Sequence, residues 1–300
     1  MIESLYLCLN VEKDDAEKIA RDISSNVSRY GMNVVDDASD ADCVVSIGGD
    51  GTFLFATRLA LEHDIPLAGI NLGRFGFLPS FPPDNIDVLL AGLNTIEPNI
   101  RCVLDIDASF GKFYAINEFV IERKSVQRAA RITMISSPPI FGSLQREINE
   151  TGVEERQQLL RRQMDDVVSE FSVYADDENN ATNGSTFVCD GVIVSTPLGS
   201  TAYSSSAGGP AISPYSNVMS VTLVALHHPR IPPVVLTNNE NLYLEAEEEC
   251  VMVCDGRYVG DIPGGEPVRI CIGSRTIRVF EKPASVVSRL AHAFGADRIG

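Results

Sequence analysis

No apolar run in this chain approaches the roughly 20 residues that a membrane-spanning helix requires. Its start, "MIESLYLCLNVEKDD", has no basic segment ahead of a short apolar stretch, and reads as a first strand rather than a secretory leader. Lysine is scarce: five residues against nineteen arginines, within a net charge of −17. A general nucleic-acid binder needs a basic face, so this balance argues against one. Neither a nucleic acid nor a membrane is expected as a partner. An anionic substrate must instead find a local positive site, built from backbone N–H groups or a few arginines. The seven cysteines (Cys8, Cys43, Cys102, Cys189, Cys250, Cys254 and Cys271) follow no pairing pattern. Cys250 and Cys254, in "CVMVC", are separated by four residues of strand, roughly 13 Å. That is too far for one metal ion or a disulfide, so buried thiols in a reducing cytoplasm are expected.

Three hundred residues correspond to about two domains of roughly 150 residues each. With 44% hydrophobic and 22% charged residues, the composition is that of an ordinary globular protein. The spacing of Ile19, Ile23 and Val27 predicts an amphipathic helix over 14–30, stopped by Gly31. "MNVVDD" and "DCVVSI" read as strands, the second running into a glycine turn. A helix in "TFLFATRLALEH", a strand in "IPLAGINLG" and a short helix in "NIDVLLAGL" follow. This alternation predicts a parallel α/β domain.

The rhythm then changes. "FYAINEFVIER", "AARITMIS", "EFSVYADD", "STFVCDGVIVST", "SVTLVAL", "NLYLEA", "ECVMVCDG", "PVRICIG" and "TIRVFE" are short strand-like runs joined by Gly, Pro, Asn or Asp. They predict a packed antiparallel β domain. "PASVVSRLAHAFG" returns to helix. From Ser143 to Glu170 the chain is charged and helix-prone, with Leu160, Met164, Val167, Val168 and Phe171 at helical spacing. Two readings stand for it: a solvated helix with one docked stripe, and an arm that packs on a partner subunit.

Residues 46–52 read "SIGGDGT". Glycine-rich turns between a strand and a helix cradle phosphate with bare N–H groups and the positive end of the helix. Asp50 has the wrong charge for that work: at about 4 Å and an effective dielectric near 20 it would oppose a phosphate charge by roughly 4 kcal/mol. No lysine follows as in a P-loop, and the pattern is not GxGxxG. Asp50 could cap the helix, face a hydroxyl that must lose a proton, or hold a hydrated magnesium ion. "NEF" at 117–119 puts a polar pair in an apolar strand region, the two side chains on opposite faces unless the chain turns there. "CDGVIVSTPLGSTAYSSSAGGP", residues 189–210, ends an apolar strand in a turn dense with hydroxyls and small residues. Such a surface suits a flat ring and several sugar hydroxyls better than it suits a core.

In order and rough spacing, Gly48-Gly49-Asp50-Gly51-Thr52, "NLGRFGFL" at 71–78, Asn117-Glu118 and "DGVIVSTPLGSTAYSSSAGGP" from Asp190 resemble the NAD kinases, which phosphorylate the 2′-hydroxyl on the adenosine side of NAD to give NADP. The resemblance implies an N-terminal Rossmann-like α/β domain, residues 1–100, to which a C-terminal helix at about 284–300 returns. It also implies a C-terminal all-β sandwich domain, 101–283, with a helical insertion at about 137–170. Asp50 is implied as the catalytic group beside the ribose hydroxyl, as general base or orienting group. Gly48, Gly49, Gly51 and Thr52 would bind the donor phosphates, with magnesium offsetting the charge conflict. Asn117 and Glu118 would hold the adenosine ribose and adenine. Thr201, Ala202, Tyr203 and Ser206 would line the dinucleotide pocket, with Asp190 a further polar contact and Gly51, Leu54 and Phe77 against the nucleotide. The resemblance further implies ATP or polyphosphate as donor, a cytoplasmic location, and a homodimer or homotetramer.

Two departures stand out. Leu198 follows "STP" where the family usually has Thr or Ser. The family's histidine falls in "ALHHPRIPP", where His227 is the candidate beside His228. Three rival readings stand beside this one, and the first, a phosphofructokinase-like enzyme, shares a GGDG turn but lacks here the expected "TIDND" stretch. A lipid kinase also uses a GGDGT turn but carries a later "GTxND"-like element, absent here. A non-catalytic NAD(H) or NADP(H) sensor would keep the pocket without needing Asp50.

Overall fold

The computed structural model describes residues 1–72, 78, 81–137, 152–172, 184–227, 231–281 and 287. They fall into two compact units, the first comprising Met1–Arg101, Ser213–Tyr215 and the chain from Arg275 onward, the second Cys102–Ile212 and Ser216–Ser274.

In the first unit, β1 (Ser4–Leu9) lies between β2 (Asn33–Val35) and β3 (Cys43–Gly48), and β3 pairs with β4 (Leu67–Asn71), all in parallel. The end of a later strand extends this sheet, Val279 and Phe280 pairing with Leu67 and Ala68. Parallel strands need crossovers, and α1 (Asp14–Asn26) and α2 (Asp50–Glu62) supply them; α3 (Ile86–Gly92) follows β4. All six residues of β3 are buried, which is why "CVVSIG" reads as a continuous run without alternation. Ile19, Ile23 and Val27 lie in one core with Leu5, Val45 and Leu89. Past α1 a 3-10 turn at Val27–Tyr30 ends at Gly31, whose φ of 73° is left-handed. At the far end of the unit Arg101 and Glu281 form a buried ion pair at 2.5 Å, the guanidinium stacked 4.5 Å over the Tyr215 ring.

The second unit is two sheets. Its elements, of which residues 99–101 of the first strand and 275–280 of the last belong to the first unit, begin with β5 (Asn99–Ala108), β6 (Gly111–Ala115), β7 (Glu118–Arg123), β8 (Ala130–Ser137), α4 (Val153–Ser172), β9 (Ser185–Cys189), β10 (Gly191–Ser195) and α5 (Tyr203–Ser206). Then come β11 (Val218–Val224), β12 (Val234–Thr237), β13 (Asn241–Ala246), β14 (Cys250–Cys254), β15 (Arg257–Ile262) and β16 (Pro267–Phe280). One sheet has the order β12-β11-β10-β7-β14-β15, and every pairing in it is antiparallel. In the other, β13 pairs with β16 and β8, β8 with β9, and β5 with β16 and β6. Alternate residues of both sheets meet in one core: Phe119 and Ile121, Val192 and Val194, and Cys250, Met252 and Cys254 face Ile132, Leu242, Leu244, Val268 and Ile270. That is the sandwich arrangement, and it explains "CVMVC" as two inward thiols on one strand face.

Several expectations are corrected. "FYAINEFVIER" is not one strand but two, β6 and β7, broken at Ile116-Asn117. "PVRICIG" and "TIRVFE" join into the single 14-residue β16. Strands β5, β12 and β15 were not anticipated from the sequence. Glu170–Ser172, read as the start of a strand, continue α4. The stripe on α4 is docked on its own chain: Met164 and Val167 pack with Ile135 and Tyr243, and Leu160 is fully buried. This favours the docked-stripe reading over the partner arm for that face. The helix expected at about 284–300, apart from Val287, and residues 138–151 and 173–183 lie outside the described residues.

Candidate active site

The glycine turn sits where β3 meets α2. Gly49 is the residue before the helix, and Asp50 is its first residue. A carboxylate in the first helical turn is stabilised by the positive helix end. Asp50 Oδ1 also accepts the N–H of Leu78 at 3.3 Å. Gly48 is there for space: a Cβ on it would lie 2.3 Å from Thr52 Oγ1. Around Gly49 and Gly51 a Cβ would meet no described residue within 4 Å. Gly51 is exposed, and Asp50, Thr52 and Leu54 are half-buried.

In the second unit the chain turns at Ile116-Asn117-Glu118, and the "STPLGS" loop is built around that turn. Thr196 Oγ1 donates to Ile116 O at 2.7 Å, and Thr196 N–H donates to Asn117 O at 2.9 Å. Gly199 packs so closely that a Cβ on it would lie 2.1 Å from Asn117 O. Asn117 and Glu118 are both buried, and Asn117 Oδ1 and Glu118 Oε2 have no hydrogen-bond partner. The Glu118 carboxyl is pushed up to about 7, chiefly by burial and next by the Asp255 carboxylate, while a hydrogen bond from the Tyr203 backbone pulls the other way.

Beside this turn is a cleft of about 320 Å³ lined by Glu122, Arg123, Lys124, Asp190, Tyr203 and Val224, among others. Asp190 is held by Arg123, with Nε to Oδ1 at 2.6 Å and Nη2 to Oδ2 at 3.3 Å. The Tyr203 hydroxyl lies 3.1 Å from Glu122 Oε1. The lining therefore offers a half-exposed aromatic ring and an ion pair, a surface for a flat polar ring.

Comparison with known proteins supplies the family. Residues 8–97 match the family model described as ATP-NAD kinase N-terminal domain, and residues 157–281 match the ATP-NAD kinase C-terminal domain. An NAD kinase of Wolinella succinogenes is 30% identical over 292 residues, covering 94% of this chain and 83% of its own. The chain belongs to the NAD kinase family. An NAD kinase of Sulfurimonas denitrificans is 28% identical over 94% of this chain and 85% of its own. Among solved structures, an NAD kinase from Archaeoglobus fulgidus in complex with ATP covers 99% of this chain and all of its own, with a TM-score of 0.66 at 20% identity. Yeast NADH kinase complexed with NADH covers 100% of this chain and 89% of its own, with a TM-score of 0.71 at 15% identity. Those two likenesses concern the fold.

Within this NAD kinase fold, Asn117, Glu118 and Tyr203 come together, and Asp190 and Tyr203 line one cleft. Thr201 and Ala202 are half-buried on the loop leading to α5, and Ser206 at its end is exposed. His227 is exposed at the end of β11, its N–H donating to Val188 O at 3.0 Å. Phe77 and His228 lie outside the described residues. Three residues of the site escaped the sequence reading: Glu122, Arg123 and Asp255. Asp255 left one sequence signal, the Asp-Gly pair after "CVMVC", which was read only as a strand end.

Proposed function

We propose that this chain transfers the terminal phosphoryl group of a nucleoside triphosphate, ATP, to the 2′-hydroxyl of the adenosine ribose of NAD, giving NADP. One observation carries the ligand side of this reading. Two neighbouring acceptors, Asn117 Oδ1 and Glu118 Oε2, are buried without partners, at about 1–3 kcal/mol each. Ribose hydroxyls and an adenine amino group are donors that would satisfy them. The names of the solved relatives, one bound to ATP and one to NADH, fit the same pair of ligands.

Asp50 is the group proposed to act on the hydroxyl. Its carboxylate orients the 2′-oxygen and accepts its proton as the oxygen attacks the terminal phosphorus and the nucleoside diphosphate leaves. Gly48, Gly49, Gly51 and Thr52 offer backbone N–H groups to the donor phosphates, so that catalysis is mostly positioning and charge stabilisation. Among the described residues no group of three or more His, Cys, Asp or Glu side chains is placed to hold a metal. The single carboxylate of Asp50 suits magnesium that arrives chelated by the triphosphate, since that ion is commonly held by one or two carboxylates plus substrate phosphates. When bound, the ion offsets the repulsion between Asp50 and the phosphates. Leu54 and Phe77 against the nucleotide, and Thr201, Ala202, Ser206 and His227 along the dinucleotide, complete the proposed contacts. Polyphosphate as donor and a homodimer or homotetramer rest on the family resemblance. A cytoplasmic location suits seven buried cysteines that form no disulfide. No helix among the described residues is long and apolar enough to cross a membrane.

The test is NADP formation from NAD, ATP and magnesium, read with an NADP-specific dehydrogenase, with Asp50→Asn in parallel. The parent is expected to make NADP, and the variant to lose about 10²- to 10⁴-fold in turnover while still binding NAD. A folded parent that makes none, with NADH and polyphosphate also tried, overturns the activity and leaves a dinucleotide sensor.

A further inference from the structure

Asp255 and Gly256 join β14 to β15 with φ of 48° and 73°, the two left-handed residues that a tight Asp-Gly hairpin turn requires. Asn or Gly at 255 would close this hairpin as well. The hairpin does not dictate where the carboxylate goes. Oδ1 accepts the N–H groups of Asn117 at 2.7 Å, Ile116 at 3.0 Å and Glu118 at 3.3 Å, and Oδ2 is 3.1 Å from the Ile116 nitrogen. The Asp255 N–H in turn donates to Glu118 O at 2.9 Å. Three successive amides converging on one carboxylate form a small anion nest. They are the amides of the segment where β6 gives way to β7.

We propose that Asp255 is the positioning residue for the Asn117–Glu118 pair: its carboxylate fixes the turn from which both side chains are presented to the adenosine part of the dinucleotide. A continuous strand would send the two side chains to opposite faces. The turn instead leaves one buried, unpartnered oxygen on each. Thr196 braces the same turn through the carbonyls of Ile116 and Asn117, while Asp255 holds its N–H groups. The proposal rests on the functional reading above and adds a residue to it.

The test compares Asp255→Gly and Asp255→Asn, both compatible with a left-handed φ. Steady-state kinetics would be run for each substrate, with calorimetric titration of NAD and a thermal melt. Asp255→Gly removes the acceptor of three buried amides and is expected to raise the KM for NAD at least about tenfold. NAD affinity should fall in parallel, with the KM for the triphosphate within about twofold of the parent. Asp255→Asn keeps one carbonyl acceptor and should fall between. A folded Asp255→Gly whose NAD KM and affinity stay within about twofold of the parent overturns the proposal. So does an equal loss on both substrates that tracks the fall in melting temperature. If Asp255→Gly does not fold, the same split in Asp255→Asn decides. A parent that binds NAD but makes no NADP defeats the activity alone, and the titrations then judge Asp255. A parent that does not bind NAD defeats both.

Discussion

Because burial and the Asp255 carboxylate push the Glu118 carboxyl up to about 7, the ligand-free folded protein keeps a proton between roughly pH 5 and 7 that the unfolded chain has released. The folded state binds more protons there, so this group's contribution falls as pH rises through the window. Urea denaturation of the parent and Glu118→Gln at both ends of the window should show the parent losing up to roughly 3 kcal/mol more than the variant. Equal slopes would mean that Glu118 titrates as in the unfolded chain. At Gly48 the constraint is steric: Gly48→Ala must displace Thr52, at about 1–3 kcal/mol, and should depress turnover, which melting and NADP assays would read together. Residues of this kind differ in how far they could be read from sequence. Asp50 stands out because an acid among glycines is a local contradiction in charge. Asp255 does not, because its partners lie 138 residues away in the chain and an Asp-Gly pair has an ordinary explanation as a turn.

Among the elements, those with a periodic face were legible: α1 through Ile19, Ile23 and Val27, and the strands of the sandwich through alternation. The misses have physical causes. β5 mixes buried Arg101 and Asp107 with its apolar residues, their charges paired with Glu281 and Arg269, so its pattern looks polar. The break between β6 and β7 is invisible because hydrogen bonds from Thr196 and to Asp255, rather than a Gly or Pro, make the turn. In α4, Met164→Ala should cost about 2–5 kcal/mol and leave the NAD KM unchanged, since its side chain packs with Ile135, Val167 and Tyr243, none of which is among the proposed site residues. Chemical denaturation beside steady-state kinetics checks both halves. A change in NAD KM would place α4 in the site.

For the whole molecule, the α/β and β parts were legible because the sequence period changes from helix-with-strand to strand alone. The net charge of −17 acts on a polyanionic substrate at long range, so kcat/KM for the triphosphate should rise between low salt and about 0.15 M ionic strength at fixed free magnesium. Kinetics across a salt series would show it, and a flat response would mean that local N–H groups dominate capture. The seven buried thiols, none of them in a disulfide, have a consequence of another kind. Burial pushes Cys8, Cys189 and Cys250 up to about 11 and raises Cys43 as well, so at these four almost no thiolate exists until the chain around them opens. Cys8 and Cys43 belong to the first unit, and the other five to the second. The rate at which each of Cys8, Cys43, Cys189 and Cys250 is alkylated is then a clock for local opening, and peptide mass spectrometry could read, without any engineered probe, which unit loosens first and which one bound dinucleotide holds shut.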